Sequence, residues 1–225
     1  MFTWADAVIV LTPSTQAYAR RRYHRETSLI PNGTQLGLNQ GDNYLKQFGL
    51  EKNNYIFSAS RLIKLKGLQY LIPAFKKLKT EKKLVIAGDG EYEESLRKMA
   101  SDDPRILFVG NQSGDILRQL YAHAYLFVQS SEMEGLSLSL LEAMGHRTAC
   151  LASDIVGNQE ALATTGFYFY SRNQDDLENK LTEILNNPEE VEIRAEAAYQ
   201  RAVEFYDWRQ VAVKTAAAYE KLLNK

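Results

Sequence analysis

Residues 55–78 read YIFSASRLIKLKGLQYLIPAFKKL, a short run rich in apolar residues, then a basic turn ending in glycine, then an apolar pattern with helical spacing. This order is typical of a β-strand followed by an α-helix. The same alternation recurs along the chain. Candidate strands are 55–60, 84–87, 106–109, 125–129, 149–152 and 166–170, and candidate helices between them are 68–78, 92–100, 116–122, 138–144 and 159–163. Repeated strand–helix units predict an α/β fold with one doubly wound parallel sheet of about six strands.

The segments on either side of the sheet break this alternation. The first contains strand-like residues at 7–11 and 28–30, with a helix between them for which Ser14 is a plausible N-cap. Pro31-Asn32-Gly33 is typical of a turn or linker, so we place a domain boundary there. After the sheet the pattern is purely helical, with candidates at 175–186, 190–205 and 208–223. We expect three parts: residues 1–31, residues 32–205 carrying the sheet, and residues 206–225 forming a closing helix.

The composition is that of an ordinary globular protein, with 45% hydrophobic residues in 225. Because 27 Lys and Arg residues are balanced by 28 Asp and Glu residues, the chain lacks the basic field on which non-specific nucleic-acid binding relies. The single cysteine, Cys150, excludes an intrachain disulfide, and we interpret it as a core residue in a reducing cytoplasm. The basic run at 18–25 is either a solvated helix face or a point of peripheral contact with the inner face of a membrane.

The residues expected to bind a ligand follow from the strand order. In a doubly wound sheet the ligand crevice lies at the carboxyl ends of the strands, where the strand order reverses. The common order 3-2-1-4-5-6 places that reversal between the first and fourth strands, so loops 61–67 and 130–137 border the crevice. Arg61 and Lys66 supply cations suited to a diphosphate. The alternative is that these are merely solvated loop charges.

The second loop combines a helix start with two acidic residues. Gly135 precedes the helix, so its backbone N–H groups and those of Leu136 and Ser137 are available to bind an anion. Glu142 lies two helical turns further on, and its two carboxylate oxygens suit the hydroxyl groups of a ribose. A surface glutamate is the alternative.

Other motifs carry less information. Gly88-Asp89-Gly90 has the pattern of a tight turn, and residues 110–114 either approach a base or simply connect two elements. The three histidines share no metal-ligand spacing, so we expect no metal site. The sequence has no phosphate-binding loop of the Walker type, no nucleophile elbow, and no Gly-x-Gly-x-x-Gly after the first strand, which disfavours kinases, hydrolases and dinucleotide-dependent dehydrogenases.

Taken together, these motifs resemble the C-terminal domain of family 4 (group 1) glycosyltransferases. The resemblance extends from Ala5 to Leu223 and rests most on Glu134 and Glu142, which match the Glu-x7-Glu pattern of that family. The other matching pieces are Ser60-Arg61-Leu62, Lys66-Gly67, Leu84 to Gly90, Phe108-Val109-Gly110 and Leu141-Glu142-Ala143-Met144. The resemblance implies a Rossmann-like sheet that forms the second domain of a GT-B type fold.

The resemblance also implies roles for individual residues. Arg61 and Lys66 would bind the diphosphate of a nucleoside-diphosphate sugar, and Glu142 would bind its ribose. Glu134, the expected catalytic residue, would contact the transferred sugar together with the backbone of Gly135, Leu136 and Ser137. The family retains the anomeric configuration and needs no metal or other cofactor.

The sequence differs from the family pattern in one motif and in how much of the N-terminal acceptor domain it matches. Where the family usually has Gly-Phe-Gly-Leu-Pro after its first glutamate, residues 135–139 read GLSLS, which leaves the backbone near the sugar less glycine freedom. Most of the N-terminal acceptor domain has no counterpart here, so we expect the isolated chain to be inactive in transfer to a polysaccharide, lipopolysaccharide or glycolipid. A catalytically silent nucleotide-sugar binding module, or a nucleotide-sugar isomerase or phosphorylase, are the alternative functions.

Overall fold

The computed structural model describes residues 4–37 and 41–223. The described residues form strands β1 Ile9–Val10, β2 Ser28–Leu29, β3 Tyr55–Ala59, β4 Lys83–Ala87, β5 Ile106–Gly110, β6 Leu126–Gln129, β7 Cys150–Ser153 and β8 Phe167–Phe169. The helices are α1 Pro13–Tyr23, α2 Leu68–Lys76, α3 Glu93–Ala100, α4 Gly114–Ala122, α5 Leu138–Gly145, α6 Val156–Leu162, α7 Gln174–Leu185, α8 Pro188–Phe205 and α9 Trp208–Leu223. None of these helices is both long enough and apolar enough to cross a membrane.

Six strands form one parallel sheet, in the order β5-β4-β3-β6-β7-β8. Counted by first appearance in the sheet, this is the order 3-2-1-4-5-6, so the predicted fold is confirmed. The strand order reverses between β3 and β6, which are hydrogen-bonded neighbours in the middle of the sheet. The loops that leave these two strands therefore begin side by side.

Helices cover both faces of the sheet, which explains why its central strands are apolar throughout. Consecutive residues of β3 point to opposite faces, so Ile56 packs with α2, α3 and α7, whereas Phe57 packs with α4, α5 and α8. Each fully buried side chain of this size contributes about 1.5–3 kcal/mol relative to exposure. Cys150 is buried in the same core as Phe57, as expected, and burial raises the pKa of its thiol.

The N-terminal segment forms a small unit of its own, in which β1 and β2 pair in parallel and α1 connects them. The prediction that Ser14 caps α1 is wrong. The cap is Thr12, whose backbone is extended and whose side-chain oxygen accepts a hydrogen bond from the Thr15 N–H at 3.3 Å. Pro13 fits the first helical position because its fixed backbone angle suits a helix and its missing N–H costs nothing there. Ser14 instead donates from its N–H and hydroxyl to the Glu160 carboxylate, at 2.6 and 2.9 Å.

The linker runs beside the start of α9. The N–H of Thr34 donates to the carbonyl of Tyr206 at 2.7 Å, and Thr34 forms a parallel bridge with Asp207. The first and last parts of the described chain are thereby held together at the edge of the sheet domain.

Candidate functional site

The loops after β3 and β6 are in direct contact. The Glu132 N–H donates to the carbonyl of Leu65 at 2.8 Å, and the Ser130 hydroxyl donates to the carbonyl of Lys66 at 2.9 Å. Gly67 makes this contact possible: its φ is +71°, and a Cβ at this position would lie 1.9 Å from the carbonyl oxygen of Ser130. Only glycine tolerates both conditions, so Gly67 allows the two loops to pack directly against each other. We call these two packed loops the wall.

Lys66 and Glu134 form an ion pair at the centre of this wall. The Lys66 Nζ lies 2.5 Å from Glu134 Oε1, and the two side chains are only 18% and 12% exposed. The same oxygen also accepts from Gln129 Nε2 at 2.8 Å and from the Ser131 hydroxyl at 2.7 Å. All three donors hold Oε1. Among the described residues none donates a hydrogen bond to Oε2, so that oxygen is left for another partner.

Arg61 and Glu142 line one cavity of about 260 Å³ at the carboxyl ends of β3, β4 and β5. Its wall also includes Gly88, Asp89, Asn111, Gln112, Tyr121 and Ser139. The cavity therefore brings a guanidinium and a carboxyl group together with amide and hydroxyl groups. Those are the groups that bind the phosphates, hydroxyls and base of a nucleotide.

Glu142 is a carboxyl group without a cationic partner. Burial raises its pKa, and a hydrogen bond from the Tyr121 hydroxyl opposes that rise in part. No described Lys, Arg or His forms an ion pair with it. Burying an uncompensated carboxylate costs free energy, and ligand hydroxyls that hydrogen-bond to it would offset that cost.

Gly135, Leu136 and Ser137 lie between Glu134 and the start of α5. Across the described residues, no acceptor is bonded to the backbone N–H groups of these three, as the anion-site prediction requires. The Ser137 hydroxyl caps α5 by accepting from the N–H of Leu140 at 3.4 Å. Gly135 and Leu136 also border a largely apolar cavity of about 480 Å³, whose other wall is Ala5, residues 7–12 and Thr15.

The end of β7 and the first turn of α6 support this loop from behind, which the sequence did not reveal. A Cβ at Gly157 would lie 2.1 Å from the carbonyl oxygen of Gly135 and 2.6 Å from that of Glu134. Ser153 donates to the carbonyl of Ser131 at 2.5 Å. Because these contacts involve backbone atoms and one small side chain, no recognisable sequence motif accompanies them.

Two segments that seemed uninformative in sequence also belong to the cavity. Gly88 and Asp89 line it from the end of β4, and Asn111 and Gln112 line it from the end of β5. Tyr121 was missed altogether because a buried tyrosine in a helix has no distinguishing pattern. Among the described residues, no group of three or more His, Cys, Asp or Glu side chains is placed to hold a metal ion. Independence from metal stays a prediction.

Comparisons with known proteins agree with this architecture. The model of the family described as glycosyl transferases group 1 matches residues 41–201. Sulfoquinovosyl transferase of Arabidopsis thaliana is 36% identical over 155 residues, 66% of this chain and 30% of that protein. A UDP-Gal:α-D-GlcNAc-diphosphoundecaprenol α-1,3-galactosyltransferase of Escherichia coli is 34% identical over 146 residues, 58% of this chain and 37% of that protein.

Among solved structures, sucrose-phosphate synthase from Thermosynechococcus elongatus superposes with a TM-score of 0.88 at 25% identity. The superposition covers 99% of this chain and 60% of that one. The chain spans about a third of the length of the two curated relatives from Arabidopsis thaliana and Escherichia coli. The family match covers most of the chain and includes the loops that follow β3 and β6. The chain belongs to the glycosyl transferases group 1 family.

Proposed function

We propose that this chain binds the nucleoside-diphosphate sugar donor of a retaining glycosyltransferase. One observation supports this most: Arg61 and Glu142, which has no ion-pair partner among the described residues, line a single cavity, and the loops after β3 and β6 carry the ion pair of Lys66 and Glu134. Cations for a diphosphate and an acceptor for ribose hydroxyls are thereby found at the point where the strand order reverses.

The groups suggest how the donor lies. Its diphosphate binds between Arg61 and Lys66 on one side and the open N–H groups of residues 135–137 on the other, and its ribose binds Glu142. The sugar then lies next to Glu134, whose Oε2 accepts from a sugar hydroxyl. In transfer, the bond from the anomeric carbon to the phosphate oxygen breaks, the oxygen of an acceptor hydroxyl bonds to that carbon on the same face, and the hydroxyl proton passes to the departing diphosphate. The negative charge left on the diphosphate is stabilised by the cations and the N–H groups.

The acceptor is proposed from the relatives. The name of the Escherichia coli relative specifies a UDP-sugar donor and a lipid-linked acceptor, and that of the Arabidopsis relative specifies sulfoquinovose transfer. We propose a polysaccharide, lipopolysaccharide or glycolipid acceptor, bound by a second domain that completes the cleft. We place the protein in the cytoplasm, in peripheral contact with a membrane.

The donor site is tested by calorimetry of the chain with UDP, GDP and ADP in a chelating buffer. We expect at least one nucleoside diphosphate to bind, and inorganic pyrophosphate to bind more weakly because it cannot reach Glu142. Absence of binding by all three diphosphates would contradict the proposal. The measurement is then repeated with a divalent metal added back. Binding only in the presence of metal shows a metal requirement, and no binding in either buffer shows that the site is wrong.

The reaction is tested with a labelled donor and an acceptor library, using the chain alone and with a separately expressed acceptor domain. Positioning two reactants contributes about 7–11 kcal/mol in favourable cases, so the chain alone is expected to hydrolyse the donor slowly without transferring the sugar. Transfer only after the halves are combined supports the proposal. Binding without turnover in either case identifies a silent binding module, and an isomerised sugar or a sugar phosphate identifies the isomerase or phosphorylase alternative.

A further inference from the structure

His146 lies directly after α5, about one helical turn beyond Glu142, and is only 5% exposed. Its ring nitrogen Nδ1 lies 2.8 Å from the carbonyl oxygen of Glu142. Because a carbonyl oxygen only accepts hydrogen bonds, Nδ1 carries the proton and donates. The same carbonyl already accepts from the backbone N–H of His146 at 3.0 Å. The end of the helix therefore does not require the ring.

The flat face of the imidazole packs on Tyr121 of α4. The two ring centroids are 5.9 Å apart and the ring planes differ by 20°, which is a stacked arrangement. Burial raises the pKa of the Tyr121 hydroxyl, so the phenol keeps its proton and donates it to the Glu142 carboxylate, while Ser139 hydrogen-bonds to the same hydroxyl. His146 thus holds Glu142 twice, at the backbone directly and at the carboxylate through Tyr121.

The surroundings keep the imidazole neutral. Burial lowers the pKa of His146, the hydrogen bond to the Glu142 carbonyl opposes that shift in part, and the Arg118 guanidinium adds to it. In the neutral ring Nε2 carries a lone pair, and this nitrogen is buried without a hydrogen-bond partner among the described residues. An unpaired buried nitrogen costs free energy. Since the helix end already has its backbone hydrogen bond, the contact that explains the ring is the one with Tyr121.

We propose that His146 is a positioning residue for the donor ribose, acting through Tyr121 on the Glu142 carboxylate. The proposal rests on the function proposed above, in which Glu142 binds the ribose hydroxyls. A glutamate side chain has several rotamers, and the hydrogen bond from Tyr121 selects one of them before the ligand arrives. A single hydroxyl occupies one lone pair only, so the carboxylate keeps acceptor capacity for the ribose. The contacts join α4 to α5 and involve no residue of the N-terminal unit or of α9.

The proposal is tested by the ribose preference, which is the dissociation constant of the dideoxy analogue of UDP, lacking both ribose hydroxyls, divided by that of UDP. GDP or ADP with its own analogue is used if UDP does not bind. His146→Asn keeps a donor for the Glu142 carbonyl but removes the ring face, and Tyr121→Phe keeps the ring but removes the hydroxyl. In calorimetry each is expected to lower the ribose preference about three- to tenfold, up to the contribution of one charge-assisted hydrogen bond.

Two further variants are expected to leave the ribose preference close to that of wild type. His146→Phe restores the flat face against Tyr121 without the nitrogen atoms. His123→Asn changes a histidine that follows α4, whose ring hydrogen-bonds to the Gly41 carbonyl at 3.0 Å, and is the matched control. His146→Asn combined with Tyr121→Phe is expected to lower the ribose preference no further than Tyr121→Phe alone, because both changes act on the same hydrogen bond.

A purely structural ring would give a different result. A lower melting temperature with an unchanged ribose preference in His146→Asn would overturn the proposal, and so would an equal loss of ribose preference in His146→Phe. Glu142→Ala separates this failure from that of the proposed function. If Glu142→Ala leaves the ribose preference unchanged, Glu142 does not bind the ribose and both ideas fail. If Glu142→Ala abolishes it while His146→Asn does not change it, only the positioning role of His146 is wrong.

Discussion

Replacing Glu134 by glutamine is expected to strengthen binding of the nucleoside diphosphate and weaken that of the nucleotide sugar. In the free protein the Lys66 ammonium is held by Glu134 at 2.5 Å. A diphosphate that binds Lys66 must compete with this carboxylate and also lies close to its negative charge. Glu134→Gln removes both effects, while its side-chain carbonyl still accepts from Gln129 and Ser131. One charge-assisted hydrogen bond is worth about 1.5–3 kcal/mol, so affinity for UDP is expected to rise about tenfold.

The nucleotide sugar responds in the opposite sense because it needs the carboxylate that the diphosphate avoids. A sugar hydroxyl that donates to Glu134 Oε2 loses a charged acceptor, which offsets the gain at Lys66. Calorimetry with UDP and a UDP-sugar measures the ratio of the two dissociation constants, which is expected to shift about tenfold or more towards UDP. Ser131→Ala is the control, because it removes a donor to Oε1 at 2.7 Å without changing the charge.

Stability provides an independent measurement. Removing one partner of a buried ion pair costs about 3–5 kcal/mol, and the residual exposure and neutral contacts here reduce this to about 1–2 kcal/mol. For a chain of this size that is a fall of about 2–4 °C in melting temperature for each kcal/mol. A variant that is less stable yet binds UDP more tightly supports the competition. A variant that binds UDP less tightly refutes it and shows that Glu134 helps to hold the phosphate loop.

The remaining predictions concern the cavity and its support. Arg61→Ala is expected to weaken diphosphate binding about tenfold or more in calorimetry, and equal affinity would contradict the site. Because burial raises the pKa of Glu142, ribose-dependent affinity is expected to fall on acidification from a higher pH than for an ordinary glutamate, with Glu142→Gln showing no such step. A raised pKa also means that the carboxylate destabilises the fold above that pKa, so Glu142→Gln is expected to melt higher than wild type at neutral pH, and the difference to shrink as pH falls from the raised value and to vanish below the ordinary pKa of glutamate. Gly157→Ala is expected to displace Gly135, since its Cβ would lie 2.1 Å from a backbone oxygen. Calorimetry and thermal melting are expected to show that it costs more free energy in donor binding than in unfolding.

The strand order could be predicted because the strands of the sheet are short apolar runs buried on both faces. Every residue of β3 is buried, so the run at 55–60 has no polar alternation to confuse it with a surface strand. Once the strands were recognised, the common topology placed the two informative loops side by side. The glycine, cations and acids in those loops could be singled out from the sequence because of their order and position at strand ends, and their roles in binding stay predictions.

The rest of the site depends on backbone contacts, which sequence patterns do not encode. The fit of Gly157 against Gly135 is visible only when the distance between the start of α6 and the loop after β6 is known. The same applies to Ser14, which has the composition of a cap but is displaced from that role by Thr12, two residues earlier. Pro13 at the first helical position favours Thr12 as the cap, and Ser14 instead donates to the Glu160 carboxylate, which is distant in sequence.

The sequence also could not show that Lys66 and Glu134 would be partners when no ligand is bound. Their roles suggested that one faces the phosphate and the other the sugar, yet the side chains neutralise each other at 2.5 Å. A cation held ready for a diphosphate would otherwise be left partly buried without a counter-charge, which costs several kcal/mol. The ion pair reduces that cost, and in the proposed arrangement the same carboxylate would disfavour retention of the diphosphate once the sugar has left. A residue that contacts the sugar would therefore also promote release of the product, which is the reason for measuring both ligands on one variant.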